Sequence, residues 1–159
     1  MAAPRSRHKE SSGLLLYRRT SGVVEVLLAH PGGPYWTGKN DASWTIPKGG
    51  MHPGETPIDT AIREFREETG FEPMPPFMPL GHVVQRSGKV VHGFAFEGDA
   101  DPATLKSEMT TTEWPPKSGR VIHVPEIDRA AFYSIDDARR LINAAQAEFL
   151  DRLILKLVN

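Results

Sequence analysis

Residues 49–71 read GGMHPGETPIDTAIREFREETGF, a glycine-rich loop followed by the clearest helical pattern in the chain. Thr56 can cap a helix whose first residue is Pro57, where the missing proline N–H costs nothing. The apolar positions that follow recur at helical spacing, and Gly70 supplies a stop signal. The sequence therefore predicts a helix from about Pro57 to Thr69.

Three acidic residues lie on one side of this predicted helix. Glu64, Glu67 and Glu68 are three and four residues apart, so their carboxylates project from adjoining parts of the helical surface. Carboxylates this close repel each other, and hard divalent cations prefer oxygen ligands of this kind. A carbonyl of the preceding loop, residues 47–54, can add a ligand because glycines let the backbone approach closely. The pattern predicts a divalent-metal site.

Three other charged residues fit the same site. Arg63 points in a different direction from the carboxylates and can pair with Glu55, which would tie the loop to the helix. Lys48 can meet a phosphate as a point charge. Each feature has an ordinary alternative, since an acidic run is usually a solvated helix face and a single Glu–Arg pair is usually structural. Their occurrence together favours a functional site.

The complete spacing between Gly49 and Phe71 is G-x5-E-x7-R-E-U-x-E-E-x-G-U, where U is a bulky apolar residue. It resembles the Nudix box at every position, with Phe65 larger than the usual aliphatic residue. By this resemblance the chain is identified as a member of the Nudix hydrolase family, most like members that act on dinucleoside polyphosphates or nucleoside triphosphates. The resemblance implies an α+β fold, the Nudix-type α/β/α sandwich with a mixed β-sheet.

The resemblance also implies roles for the residues of the box. The implied metal ligands are one backbone carbonyl and three carboxylates: Gly49, Glu64, Glu67 and Glu68. Glu64 would be a ligand or the general base, and Glu55 and Arg63 would form an orienting pair. The implied cofactor is Mg²⁺, with Mn²⁺ as a substitute.

The implied reaction is attack of a metal-activated water on phosphorus in a P–O–P linkage of a nucleoside diphosphate derivative. A glutamate accepts the proton if it lies within hydrogen-bond reach of that water. In this family the base often comes from outside the box, and the candidates here are Glu108, Glu113 and Glu126. We prefer Glu113 because it lies near a predicted strand end beside Trp114, although an exposed strand carboxylate is the ordinary alternative.

Substrate-binding residues outside the box rest on weaker patterns. Tyr35 and Trp36, in the loop His30–Ser43, could stack on a base. Lys117 and Arg120, in a proline-containing loop, could bring two cations to a polyphosphate. Loop packing and a rigid surface turn are the alternatives. Four further polar residues are interpreted as ordinary strand or turn residues: His82, Arg86, Lys89 and His92.

The rest of the chain predicts further strands and helices. A hairpin is expected from residues 13–18 and 23–29, and two later strands at 80–84 and 89–96. A further strand is expected at 109–114, near Trp114, and a second helix at 135–145. Residues 44–46 read as a short strand that enters a turn at 47–50. Residues 1–12 are expected to be a disordered tail, and residues 13–159 a single Nudix hydrolase domain.

The composition of the chain excludes several other classes of protein. The 159 residues are 39% hydrophobic and 25% charged, as in an ordinary globular protein. The absence of cysteine excludes thiolate chemistry and disulfides. A net charge of −1 gives no overall field that attracts DNA, RNA or a membrane. No segment is apolar over the roughly 20 residues of a membrane span, so a cytoplasmic location is the default expectation.

Three hypotheses for function remain. The first is hydrolysis of a dinucleoside polyphosphate, such as diadenosine tetraphosphate, or of a nucleoside triphosphate. The second is an RNA 5′-end pyrophosphohydrolase, which needs a basic track and strong salt dependence; Arg5, Arg7 and Lys9 could supply a local patch. The third is a non-catalytic nucleotide-binding module, which would not need to keep its carboxylates. The expected partner is a small nucleotide.

Overall fold

The computed structural model describes residues 9–158. The strands are β1 (Glu10–Thr20), β2 (Val23–Pro31), β3 (Lys48–Gly50), β4 (Met78–Val84), β5 (Val90–Glu97), β6 (Met109–Glu113), β7 (Val121–Pro125) and β8 (Ile127–Ser134). The helices are α1 (Pro57–Thr69), α2 (Ile135–Leu141) and α3 (Ala147–Leu157). Six strands form one sheet in the order β4-β5-β1-β2-β8, with β3 paired to β1, while β6 and β7 form a separate hairpin.

The main sheet is mixed, because β1 runs parallel to β5 and antiparallel to β2 and β3. Alternate residues of β1 face opposite sides, as the pleat of a strand requires. Leu14 and Leu16 pack toward α1 with Phe65, whereas Leu15 and Tyr17 pack toward α2 and α3. The sheet therefore lies between two helical layers, and the expected α/β/α sandwich is confirmed.

Helix α1 begins and ends at the predicted residues. The Thr56 hydroxyl accepts a hydrogen bond from the Asp59 N–H at 3.3 Å, and the Asp59 carboxylate accepts one from the Thr56 N–H at 3.5 Å. Gly70 ends the helix in the left-handed region at φ 76°, where glycine has no steric penalty. Phe65 is fully buried, and its ring meets that of Phe96 edge-on at 5.3 Å. The larger box residue is thus accommodated by aromatic packing.

The expected disordered tail is wrong at its C-terminal end. Strand β1 begins at Glu10, and Ser11 and Ser12 are buried, with 1% and 0% of their surface exposed. These residues pair with Gly49–Gly50 on one side and with Val90–His92 on the other. Partners so distant in sequence give no local signal. Residues 1–8, including Arg5 and Arg7, lie outside the described residues.

Other differences also come from long-range pairing. The predicted turn at 47–50 contains strand β3, which is held by its ladder to β1. The expected strand at 44–46 is reduced to isolated bridges, from Thr45 to Ala29 and from Trp44 to Ile142. The second of these coincides with the end of α2, so the chain restarts as α3 instead of continuing to residue 145. Strands β7 and β8 were not predicted.

Between residues 9 and 158, no helix combines the length and the apolar character that crossing a bilayer requires.

Candidate active site

A cavity of about 600 Å³ opens beside β3 and the acidic side of α1. Five carboxylate residues line it: Glu64, Glu67, Glu68, Glu108 and Glu126. The lining also includes Lys48, Lys89, Ser11 and Gln85. The box carboxylates that the sequence placed together therefore share one cavity with two lysines.

Arg63 and Glu55 form the predicted pair. The Arg63 Nε and Nη2 atoms donate to the two Glu55 oxygens at 2.8 and 2.9 Å. Glu55 also accepts from the His52 N–H at 2.8 Å and the Thr60 hydroxyl at 2.9 Å. These donors, with Arg63 the largest cause, lower the pKa of Glu55 to about 2. Because Arg63 Nη2 also donates to the Gly50 carbonyl at 2.9 Å, the pair fixes the loop against α1.

Arg63 contacts two of the expected metal ligands as well. Its Nη1 atom donates to Glu64 at 2.8 Å and to Glu67 at 3.1 Å. A single guanidinium therefore neutralises part of the acidic cluster, which a purely structural pair with Glu55 would not do.

Gly49 lies directly against the Glu64 carboxylate. A Cβ atom built on Gly49 would lie 2.1 Å from the carboxyl carbon of Glu64 and 2.2 and 2.4 Å from its oxygens. Any side chain at this position would collide with the group that lines the cavity. The closeness of backbone and carboxylate is the reason that this position of the box requires glycine.

Glu68 is the deepest carboxylate of the cluster. Its Oε2 atom accepts a hydrogen bond from the Lys48 N–H at 2.6 Å. Burial, followed by the charge of Glu64, raises the pKa of Glu68 well above its usual value. Burial also raises the pKa of Glu64, and burial lowers the pKa of the Lys48 ammonium. Negative charge is thus crowded here and only partly compensated by the protein.

The donor set fits a hard divalent cation. Its members are neighbouring oxygen groups with uncompensated charge, and Gly49 lets the backbone reach the same place. Among residues 9–158, however, no three acidic or histidine side chains converge as a formed metal cluster. In this arrangement Arg63 donates to Glu64 and Glu67, and the Lys48 N–H donates to Glu68.

The three candidate bases are in different places. Glu108 and Glu126 line the cavity and are linked, since the Glu126 N–H donates to the Glu108 carbonyl at 2.9 Å. The Glu108 N–H donates to the Glu67 carbonyl at 3.0 Å, which places this segment at the end of α1. Glu113 does not line the cavity, and its two oxygens accept the Lys117 and Gly119 N–H groups of its own hairpin. The preference for Glu113 is therefore corrected.

The expected cationic loop is also away from the cavity. Lys117 and Arg120 are exposed in the hairpin between β6 and β7, and neither lines the cavity. The lysine that does join Lys48 is Lys89, which the sequence suggested was a solvated turn residue. The parallel pairing of β1 with β5 places Lys89 there, and no local pattern indicates that pairing.

The two aromatic residues of the long loop have different surroundings. Trp36 lines the cavity, whereas Tyr35 does not and has 56% of its surface exposed. The loop is anchored by His30, which is 1% exposed. The His30 ring nitrogens lie 2.9 Å from the Asp128 carboxylate and 2.6 Å from the Lys39 carbonyl. Trp36 is therefore presented by a loop with a buried anchor.

Comparisons with known proteins agree with this geometry. The model of the NUDIX domain matches residues 7–153. A mouse protein named bis(5′-nucleosyl)-tetraphosphatase [asymmetrical] is 62% identical over 66 residues, which are 38% of this chain and 41% of that protein. A Xylella fastidiosa RNA pyrophosphohydrolase is 40% identical over 58 residues, 36% of this chain and 30% of that protein. The chain spans less than half the length of these curated relatives.

Solved structures share the fold over most of the chain. A Caenorhabditis elegans Ap4A hydrolase binary complex has a TM-score of 0.66 at 21% identity and covers 93% of this chain and 98% of its own. The NUDIX domain of Shewanella oneidensis NrtR, complexed with ADP ribose, has a TM-score of 0.63 at 13% identity. The match covers 93% of this chain and 87% of that one. With the family model matched across nearly all of its length and the box residues gathered at one cavity, the chain belongs to the Nudix hydrolase family.

Proposed function

We propose that this protein is a divalent-metal-dependent hydrolase that cleaves a phosphoanhydride bond in a nucleoside diphosphate derivative. A dinucleoside polyphosphate or a nucleoside triphosphate is the favoured substrate. The observation that carries the proposal is one cavity that holds the acidic cluster of α1 together with Lys48 and Lys89. Carboxylates can hold the cation that a polyphosphate requires, and lysines can meet its remaining charge.

The residues that would hold Mg²⁺ are the Gly49 carbonyl, Glu64, Glu67 and Glu68. The ion, when bound, lowers the pKa of a water and stabilises charge on phosphate oxygens. Arg63 and Glu55 keep the glycine-rich loop in place beside α1, where the Gly49 backbone lies against Glu64.

Glu126 is the proposed proton acceptor. It lines the cavity, and its charge is close enough to those of Glu64 and Glu68 to contribute to the raised pKa of both groups. A base must reach the attacking water, and Glu126 is better placed for this than Glu113. Glu108 lines the same cavity but is exposed.

Trp36 is proposed to stack on the base of the nucleotide. Its ring meets that of Tyr35 edge-on at 4.9 Å, and it lines the cavity whereas Tyr35 does not. A flat apolar ring at a polar cavity is the arrangement that base stacking uses.

A second candidate function is pyrophosphohydrolysis at an RNA 5′ end. The match to an RNA pyrophosphohydrolase over 58 residues favours it. The acidic lining of the cavity and the net charge of −1 favour a small nucleotide instead.

The test is release of phosphate and nucleotide from a substrate panel with Mg²⁺, with Mn²⁺ and with chelator. The panel contains nucleoside triphosphates, diadenosine polyphosphates, ADP-ribose and triphosphorylated RNA. Metal-dependent turnover of a dinucleoside polyphosphate or a triphosphate well above the rest is the expected result. Preferential turnover of RNA would select the second candidate, and no turnover of any member would overturn the proposal of a hydrolase.

A further inference from the structure

Gln146 is completely buried, and its amide group has two separate partners. Its Oε1 atom accepts a hydrogen bond from the Ile46 N–H at 3.0 Å, and its Nε2 atom donates to Gln85 Oε1 at 3.0 Å. A backbone N–H can only donate, so the Gln146 atom that faces Ile46 must be the oxygen. The NH₂ group of Gln146 then faces Gln85, so the Gln85 atom that accepts its hydrogen bond must be the side-chain oxygen.

This chain of hydrogen bonds fixes which end of the Gln85 amide group faces Gln146 and which end is left for the cavity. Gln85 is half-buried and lines the cavity, and its carbonyl oxygen is bound to Gln146. Because its oxygen faces Gln146, the polar group of Gln85 that points away from Gln146 is its NH₂, which can only donate. Gln85 therefore suits a ligand atom that accepts hydrogen bonds.

Three other residues that line the cavity also carry donor groups: Ser11, Lys48 and Lys89. The Ser11 hydroxyl is 1% exposed and has no hydrogen-bond partner among the residues that the structure describes. Two ammonium groups, an amide NH₂ and a hydroxyl without a partner favour an anionic ligand over a neutral one.

We propose that Gln85 is a specificity-determining residue, positioned by Gln146, that donates to an anionic phosphate oxygen of the substrate beside Lys48 and Lys89. The inference rests on the proposed function, and it adds that the substrate carries a phosphate group beyond the linkage that is cleaved. Nucleotides with three or more consecutive phosphates meet this requirement. A carbonyl group of the base is the other acceptor that a nucleotide could bring, and the experiment separates the two.

The experiment measures binding of inorganic tripolyphosphate to the full chain by titration calorimetry, with chelator present. Gln85→Glu keeps an oxygen for Gln146 and replaces the donor at the cavity with an acceptor, so we expect affinity to fall by at least about tenfold. Gln85→Met removes the donor without adding charge, and affinity should fall several-fold. Arg86→Gln is the control, because it changes net charge by the same amount at an exposed neighbour that does not line the cavity. Its affinity should stay close to that of wild type.

A substitution of Gln146 tests its positioning role. Gln146→Glu can still accept from the Ile46 N–H but cannot donate to Gln85, so the Gln85 amide should turn and present its oxygen to the cavity. Tripolyphosphate affinity should then fall as in Gln85→Glu. In the Gln85→Met background the same change should have no further effect, which general damage to the fold would not produce. If the buried glutamate prevents folding, the Gln85 variants decide the question.

The inference is overturned if wild type binds no tripolyphosphate, or if Gln85→Glu binds it as well as wild type does. If Gln85→Glu keeps the wild-type affinity for tripolyphosphate but changes the relative affinities for nucleoside triphosphates with different bases, the inference is overturned in favour of a base carbonyl. The assay needs neither metal nor turnover. Binding that depends on Gln85 in a protein that hydrolyses no nucleotide would therefore support this inference and contradict the proposed function.

Discussion

Arg63 donates to both carboxylate oxygens of Glu55, at 2.8 and 2.9 Å, and so joins the glycine-rich loop to the middle of α1. The same loop contains Gly49, whose backbone lies so close to the Glu64 carboxylate that a side chain would not fit between them. If the loop moved away from α1, Gly49 would be separated from the carboxylates with which it is proposed to bind one ion. The pair thus acts on the site through the position of the loop.

Glu55→Gln should make the protein less stable in a way that depends on pH. The Glu55 pKa is about 2 in the folded protein, against about 4.3 in an unfolded chain. A depressed carboxyl pKa contributes stability that is complete above about pH 5 and is lost as pH falls toward 2. We expect a loss on the order of 1–2 kcal/mol at pH 7, shrinking between pH 5 and 2, in urea unfolding of both proteins.

The matched control for this prediction is Glu72→Gln. Glu72 also pairs with an arginine, Arg66, but both side chains are more than half exposed to solvent. Solvent screening should leave the stability of this variant close to that of wild type. A difference between wild type and Glu55→Gln that stays constant from pH 7 to pH 2 would contradict the proposed origin in the Glu55 charge.

Local patterns predicted α1 and the box because the signals for both lie within a few residues of each other. Thr56 and Pro57 start the helix and Gly70 ends it, so the signals lie next to the element they define. Helical spacing alone brings Glu64 beside Glu68. Lys89 and Gln85 could not be predicted in this way. They reach the cavity through the pairing of β5 with β1 and through a contact with Gln146, the residue before α3, and both join distant parts of the chain.

Three residues that the sequence assigned to the site lie outside the cavity for a related reason. Glu113, Lys117 and Arg120 have suitable chemistry, and sequence alone does not show on which side of the protein the hairpin of β6 and β7 projects. In the structure, Glu113 is occupied by the backbone of its own loop. Residue type therefore predicted the site residues correctly where a helix fixed their relative positions, and incorrectly where a loop did.

Glu68→Gln should abolish turnover and leave the fold intact. The amide oxygen can still accept from the Lys48 N–H, and the change removes a buried carboxylate whose raised pKa makes its ionised form unfavourable. Stability at pH 7 should therefore be equal to or higher than that of wild type. Turnover with Mg²⁺ should fall at least about 100-fold, because a proposed metal ligand is lost.

Thermal unfolding with and without Mg²⁺ provides the second measurement on Glu68→Gln. A ligand that binds only the folded state raises the melting temperature, so Mg²⁺ should stabilise wild type and have less effect on the variant. Near-normal activity with Mg²⁺ would refute the assignment of Glu68 as a ligand.

Trp36→Ala should raise KM more than it lowers kcat. Loss of a stacked base weakens binding of substrate, and an increase in KM of about tenfold corresponds to the usual strength of such stacking. Tyr35→Ala is the matched control, since its ring is adjacent to Trp36 but does not line the cavity. Steady-state kinetics of both variants test the idea, which an unchanged KM for Trp36→Ala would exclude.

Glu126→Gln should lower kcat on the order of 100-fold or more, as removal of a general base does, with a small effect on KM. Glu113→Gln should remain within about twofold of wild type, because its carboxylate is directed to its own hairpin and away from the cavity. The pair is a fair comparison, since each change replaces one glutamate of the same region with its amide. The decisive measurement is kcat for both variants under saturating Mg²⁺ and substrate. A large loss in Glu113→Gln with an active Glu126→Gln would return the role of base to Glu113.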